Sequence, residues 1–260
     1  MGLLLKAGIN IDLITSAVLA FVSIAFLIIC INKIQSLKNI FPNYALQLAG
    51  LIGNTSFLGI PIAIALLPIE TFNFTIGFDL GTTLFSWIFG PYLLQKTSSN
   101  YSFFNLRKLI FSIFSSPASK GIIGLFFIYL FGLENIMEDI LWIPARLVIY
   151  LAIIVVGTRL GMITNSKQSF FQINENIKYS LLLKLIILPS LIYILCRILN
   201  LKTTDTLALV LQAGTPSAIS TILLAEAYKK QRDLAAKALF TTTIFSTASI
   251  PLIYLIINKF

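Results

Sequence analysis

The sequence predicts an all-α membrane protein of about eight transmembrane helices, arranged as an inverted repeat with two broken crossover helices. Three observations carry that expectation. Of the 260 residues, 57% are hydrophobic and 11% charged, a balance foreign to ordinary soluble globules. Apolar runs of about 20 residues, enough to cross a bilayer as helix, recur along the whole chain. Two of them are interrupted at mid-length by glycine, proline and polar residues.

The apolar runs fall at residues 13–31, 44–67, 74–94, 121–131, 141–160, 179–199, 206–228 and 236–257. The fourth reaches spanning length when extended back toward Pro117 and forward to Leu133. The loops alternate in charge. Basic ones carry Lys33 and Lys38; then Lys96, Arg107 and Lys108; then Lys167 and Lys178; then Lys229, Lys230, Arg232 and Lys237. The loops between them are neutral or acidic, with Glu70, then Glu134, Glu138 and Asp139, then Lys202 balanced by Asp205. Basic loops stay in the cytoplasm, so both termini are expected outside it. A missed helix would invert the pattern from that point on.

The first interruption is Gly53-Asn54-Thr55-Ser56-Phe57-Leu58-Gly59-Ile60-Pro61, inside the second run. Each unsatisfied backbone group in hydrocarbon costs several kcal/mol, so such a stretch must be covered by protein or line a wet cavity. The second is Gln212-Ala213-Gly214-Thr215-Pro216-Ser217-Ala218, in the seventh run. Paired broken helices are the best sequence pointer to a transporter's binding site. Half-helix N-termini present unpaired N–H groups and a positive dipole end, which suits a carboxylate. In this reading Pro61 and Pro216 cause the breaks, and Gly59 and Gly214 let the backbones approach. Asn54, Thr55, Ser56, Gln212, Thr215 and Ser217 orient the substrate. Small hydroxyl residues also pack helices together. That plainer role suits the Thr241, Thr242, Thr243, Ser246, Thr247, Ser249 group, and it fits Ser217, Ser220 and Thr221 as well as ligand contact does.

Charged residues within spans are costly and informative. Asp79 fits coupling to a proton or sodium ion, and an interfacial position equally. Lys184 either offsets a substrate's charge or snorkels to the cytoplasmic surface, the better reading of the two. The chain has no histidine, which removes His-based catalysis and the usual His metal ligands. No cofactor is expected. Cys30 and Cys196 both fall in spans, so no disulfide framework is expected. The excess of Lys+Arg over Asp+Glu, 19 against 10, fits cytoplasmic loops better than nucleic acid. Asn100-Tyr101-Ser102 matches a glycosylation acceptor but lies on the expected cytoplasmic side.

The run Asn54-Thr55-Ser56-Phe57-Leu58-Gly59-Ile60-Pro61 resembles one in the auxin efflux carrier family, related to the bile acid/sodium symporters. So do Thr215-Pro216-Ser217-Ala218, Leu224-Ala225-Glu226-Ala227-Tyr228, Leu234-Ala235-Ala236-Lys237-Ala238 and Ser249-Ile250-Pro251-Leu252. Tyr150 to Gly157, and Lys184 followed by Pro189, are similar to further family segments, although a proline is usual where Tyr150 stands. The resemblance implies ten helices in two inverted repeats, of which the first two are missing here. It divides the chain into a partial repeat at 1–95, a cytoplasmic linker at 96–117 and a second repeat at 118–260. It implies a carrier, most plausibly exporting a small organic anion by alternating access across a bacterial-type cell membrane. Coupling to a proton or sodium gradient and a homodimer are both compatible with it. Two rivals stand beside this: a sodium-coupled organic anion symporter and a non-transporting membrane subunit of the same fold. A membrane enzyme would need convergent titratable groups at depth, and Asp79 with Lys184 is too thin a set.

Overall fold

The helix Ile11–Lys33 shows the physical plan of the molecule. Its start is fixed by Asn10, whose side chain accepts the Leu13 N–H at 2.9 Å, with Asp12 in the first turn and Lys33 in the last. Ile11, Ile14, Val18, Val22, Phe26 and Ile29 point outward, whereas Ser16, Ala20 and Ser23 are buried. Apolar residues outside and small ones inside is the pattern of a helix surrounded by lipid.

The computed structural model describes residues 2–95, 114, 117–165, 174–229 and 231–259. In chain order the helices are α1 (Gly2–Ala7), α2 (Ile11–Lys33), α3 (Gln35–Ile40), α4 (Tyr44–Leu51), α5 (Ile60–Leu66), α6 (Phe72–Gln95) and α7 (Pro117–Leu130). Then follow α8 (Glu134–Asn165), α9 (Glu175–Leu182), α10 (Leu188–Ile198), α11 (Thr203–Ala213), α12 (Ile219–Ala227) and α13 (Arg232–Asn258). Helix occupies each of the eight apolar runs, and no strand occurs among the described residues. Among the described residues three helical stretches are long and apolar enough to cross a membrane: Ile11–Lys33, Glu175–Ile198 and Arg232–Asn258. The linker expected at 96–117 lies outside the described residues apart from Phe114 and Pro117. Asn100-Tyr101-Ser102 lies outside them too.

Two turns of π-helix interrupt the α pattern, at Thr55–Gly59 and Leu183–Ile187. Both are followed at once by a proline in the next helix, Pro61 and Pro189. The cause is shared: a proline has no N–H for the usual acceptor and its ring crowds that carbonyl, so the turn before it widens.

Helices α2 and α6 lie side by side, closer than ordinary side chains permit. A Cβ on Gly77 would collide with Ser16 Oγ and the Leu13 carbonyl, and one on Gly81 with the Ala17 carbonyl. The Gly77 to Gly81 spacing is a small-residue helix contact of the kind used in lipid, where dispersion replaces hydrophobic driving force.

The core divides into two large clusters. One gathers Leu48 and Leu51 of α4, Phe85 of α6, Ile222 and Leu224 of α12 and Leu239 of α13. The other gathers Phe74 and Phe78 of α6, Ile192 of α10, residues of α11 and Ile250 of α13. Each thus contains one half of the seventh apolar run, and the polar interruption separates them.

Candidate functional site

The two interrupted segments meet. Helix α4 ends at Leu51 and α11 at Ala213, and beyond these ends the chain leaves the helix, through a turn at Gly214 in the second case, until the next helical turn. Gly53 and Ser217 form an antiparallel bridge there. The Asn54 N–H donates to the Pro216 carbonyl at 2.7 Å, and the Ala218 N–H to the Ile52 carbonyl at 2.9 Å. Groups orphaned by the loss of helix are therefore satisfied by the other break, as hydrocarbon demands.

Several predicted binding residues close the crossover. Helices α4 and α11 leave carbonyls without intrahelical donors at their last turns. Ser217 Oγ donates to the Ala49 carbonyl at 2.5 Å, and Thr215 Oγ1 to the Gln212 carbonyl at 2.8 Å. The Thr242 hydroxyl of α13 accepts the Ser217 N–H at 3.0 Å. These hydroxyls are occupied as caps, a role the sequence reading did not anticipate for Ser217.

Lys184 does not snorkel. Its side chain is 1% exposed, and Nζ donates to the Ala213 carbonyl at 2.6 Å. It sits in the π turn before Pro189, which aims it at the crossover rather than along the helix toward the surface. Nζ thus stands at the negative end of α11, where the helix dipole favours a positive charge. A Cβ on Gly53 would fall 2.8 Å from Nζ and collide with Thr215 Oγ1, so this position needs glycine. Sequence reasoning left Gly53 out of the site; its place beside Asn54 was the signal.

Two expectations about backbone chemistry are corrected. Pro61 does not cause the first break, which lies at residues 52–54; it stands in the first turn of α5. Gly214 does not face the other broken helix, since a Cβ there would meet Ile253 of α13 at 2.8 Å. Gly59 does face the other broken segment, through side chains rather than backbone. A Cβ on it would collide with Gln212 Oε1 and lie 2.9 Å from Thr215 Cγ2.

Thr55 and Ser56 converge on Asp79. Their hydroxyls reach the same oxygen, Oδ1, at 2.5 and 2.6 Å. The structure thus places a carboxylate of α6 at the positive end of the half-helix that begins with Thr55.

That leaves Gln212 and Asn54. Gln212 is wholly buried and neither its Oε1 nor its Nε2 has a partner. Leaving buried polar atoms unpaired costs about 1–3 kcal/mol, so a ligand that bonds this amide would recover that cost. Asn54 is also buried. An open depression lined by Glu226, Lys229, Arg232 and Asp233 lies elsewhere, at the turn joining α12 to α13.

With this geometry in hand, the comparisons with known proteins decide the family. A profile described as membrane transport protein matches residues 97–254. The chain belongs to the membrane transport protein family. It is also similar to an uncharacterized transporter of Methanocaldococcus jannaschii, 25% identical over 208 residues, which is 80% of this chain. The match spans 66% of that transporter's length. The resemblance to auxin efflux carriers therefore holds, and the family together with the apolar helices makes this an integral membrane protein of a transport family.

Proposed function

We propose that this member of the membrane transport protein family is a secondary carrier that moves a small organic anion outward by alternating access. In this reading the eight helical runs all span the membrane as parts of two inverted repeats. Both termini are outside the cytoplasm, as the loop charges imply. The substrate site is the crossover.

The observation that carries the proposal is the amide of Gln212, buried and without a partner where the two breaks meet. Polar groups at the meeting of broken helices suit a carboxylate: N–H donors from Gln212 and Asn54, and half-helix ends that favour negative charge. Dicarboxylates and auxin-like acids are the substrate classes to test.

Counterflow of radiolabelled succinate and indole-3-acetate in proteoliposomes tests the reading. Exchange of either acid that Asn54→Ala abolishes is the expected result. Equal exchange in wild type and Asn54→Ala would move the site away from the crossover. Saturable binding without exchange would favour the non-transporting subunit.

A further inference from the structure

Helix α6 carries two hydroxyls that the protein leaves unused. Thr82 and Ser86 are buried, at 2% and 1% exposure, and neither hydroxyl has a partner among the described residues. Hydroxyls inside helices commonly take a carbonyl one turn back. Thr75 of the same helix does so on the Thr71 carbonyl at 3.2 Å, and Ser16, Thr241 and Thr243 do so on Asp12, Lys237 and Leu239. Thr82 and Ser86 do not.

Their direction follows from the residues on either side. Thr82, Ser86 and Gly90 lie within about 60° of Asp79 around the helix axis. At one end of this face Asp79 Oδ1 accepts the hydroxyls of Thr55 and Ser56, just past the first break. At the other end a Cβ on Gly90 would meet Leu48 of α4 at 3.9 Å and Leu224 of α12 at 2.9 Å. The joint at Gly53 lies between Leu48 and Thr55 along the chain, so Thr82 and Ser86, about 4.5 and 10.5 Å along the axis from Asp79, stand level with it. Ser23 of α2 is also without a partner, but it shares the Ser16 face that packs on Gly77, on the other side of α6.

We propose that Thr82 and Ser86 select the substrate by bonding an uncharged polar group, such as a hydroxyl, at the end of the acid remote from its carboxylate. This rests on the carrier reading above and narrows its substrate class to hydroxylated acids. In that reading Gln212 and the half-helix ends take the carboxylate, and the rest of the molecule reaches past the joint toward α6. Each side-chain hydroxyl can donate and accept, so a substrate O–H completes bonds that the protein does not make for itself. An apolar tail would keep both hydroxyls unpaired, the circumstance in which a site rejects an analogue most strongly. A second carboxylate would fit less well, because Asp79 stands one helical turn away and brings a like charge.

The test compares acids that differ only beyond the carboxylate. Proteoliposomes holding wild type, Thr82→Val, Thr82→Ser or Ser86→Ala are assayed for counterflow of radiolabelled butyrate, 3-hydroxybutyrate, 4-hydroxybutyrate and succinate, and KM is determined for each acid. In wild type at least one hydroxybutyrate should have a KM about tenfold or more below those of butyrate and succinate. Thr82→Val and Ser86→Ala should each bring that ratio down toward unity, whereas Thr82→Ser, which keeps the hydroxyl, should preserve it. Melting curves in detergent supply a second readout: an unpartnered hydroxyl contributes no bond to the fold, so Thr82→Val and Ser86→Ala should melt at the wild-type temperature or above. Equal KM values for butyrate and both hydroxybutyrates, tighter binding of succinate than of either, a ratio that neither variant alters, or a lower melting temperature in both would each overturn the inference. The carrier reading survives all four, because exchange is observed in every one. Absence of counterflow of every acid in wild type, indole-3-acetate included, would remove both.

Discussion

Gly53 and Ser217, separated by most of the chain, form an antiparallel backbone bridge at the point where both helices stop. Neither break could exist alone in lipid, because each supplies the donors and acceptors that the other lacks. The hydroxyl of Ser217 completes the joint by capping the end of α4 at the Ala49 carbonyl.

Ser217→Ala should therefore destabilise the protein by about 1–3 kcal/mol, the cost of an orphaned buried acceptor. Thr242→Ala should cost a similar amount, and the double variant less than the sum, because both act on one network. Thermal unfolding in detergent measures this. Additive losses would mean that the two hydroxyls act separately.

Gln212→Leu should do the opposite. Removing two unpartnered buried polar atoms is neutral or stabilising, so the melting temperature should hold or rise while binding of a carboxylate substrate weakens about tenfold, or about 1.4 kcal/mol. Isothermal titration and a melting curve on the same sample decide it. A fall in stability would reveal that the amide already has partners.

Gly59→Ala alone should lower stability by about 1–3 kcal/mol through overpacking against Gln212. In the Gln212→Ala background the same change should be much milder. The cycle needs only denaturation curves, and additive effects would contradict the close contact between the two residues.

Lys184→Arg distinguishes a buried ammonium from a snorkelling one. At a membrane surface the exchange is nearly neutral, whereas between the Ala213 carbonyl and Gly53 the larger guanidinium has no room. Lower yield of folded protein and lost counterflow are expected. Wild-type behaviour in both would place Lys184 outside the crossover.

Gly81→Leu should separate α2 from α6, because its side chain would enter the Ala17 backbone. The expected readout is loss of the monodisperse peak in size-exclusion chromatography. Leu252→Ala, on the exposed face of α13, is the control and should leave that peak unchanged. A monodisperse Gly81→Leu protein would contradict the close approach of the two helices.

The sequence by itself determined the helical membrane class, the family, the positions of the apolar runs and both interruptions. Those features are local: hydrophobic length, loop charge and the glycine, proline and hydroxyl content of a few residues. The tertiary structure alone decided that the interruptions pair through Gly53 and Ser217. It also decided that Lys184 turns inward, that Asp79 gathers Thr55 and Ser56, and that Pro61 widens a turn instead of breaking the helix. Each of these depends on what stands across a gap. A hydroxyl with a carbonyl opposite becomes a cap, whereas an amide with nothing opposite, as at Gln212, is left without a partner.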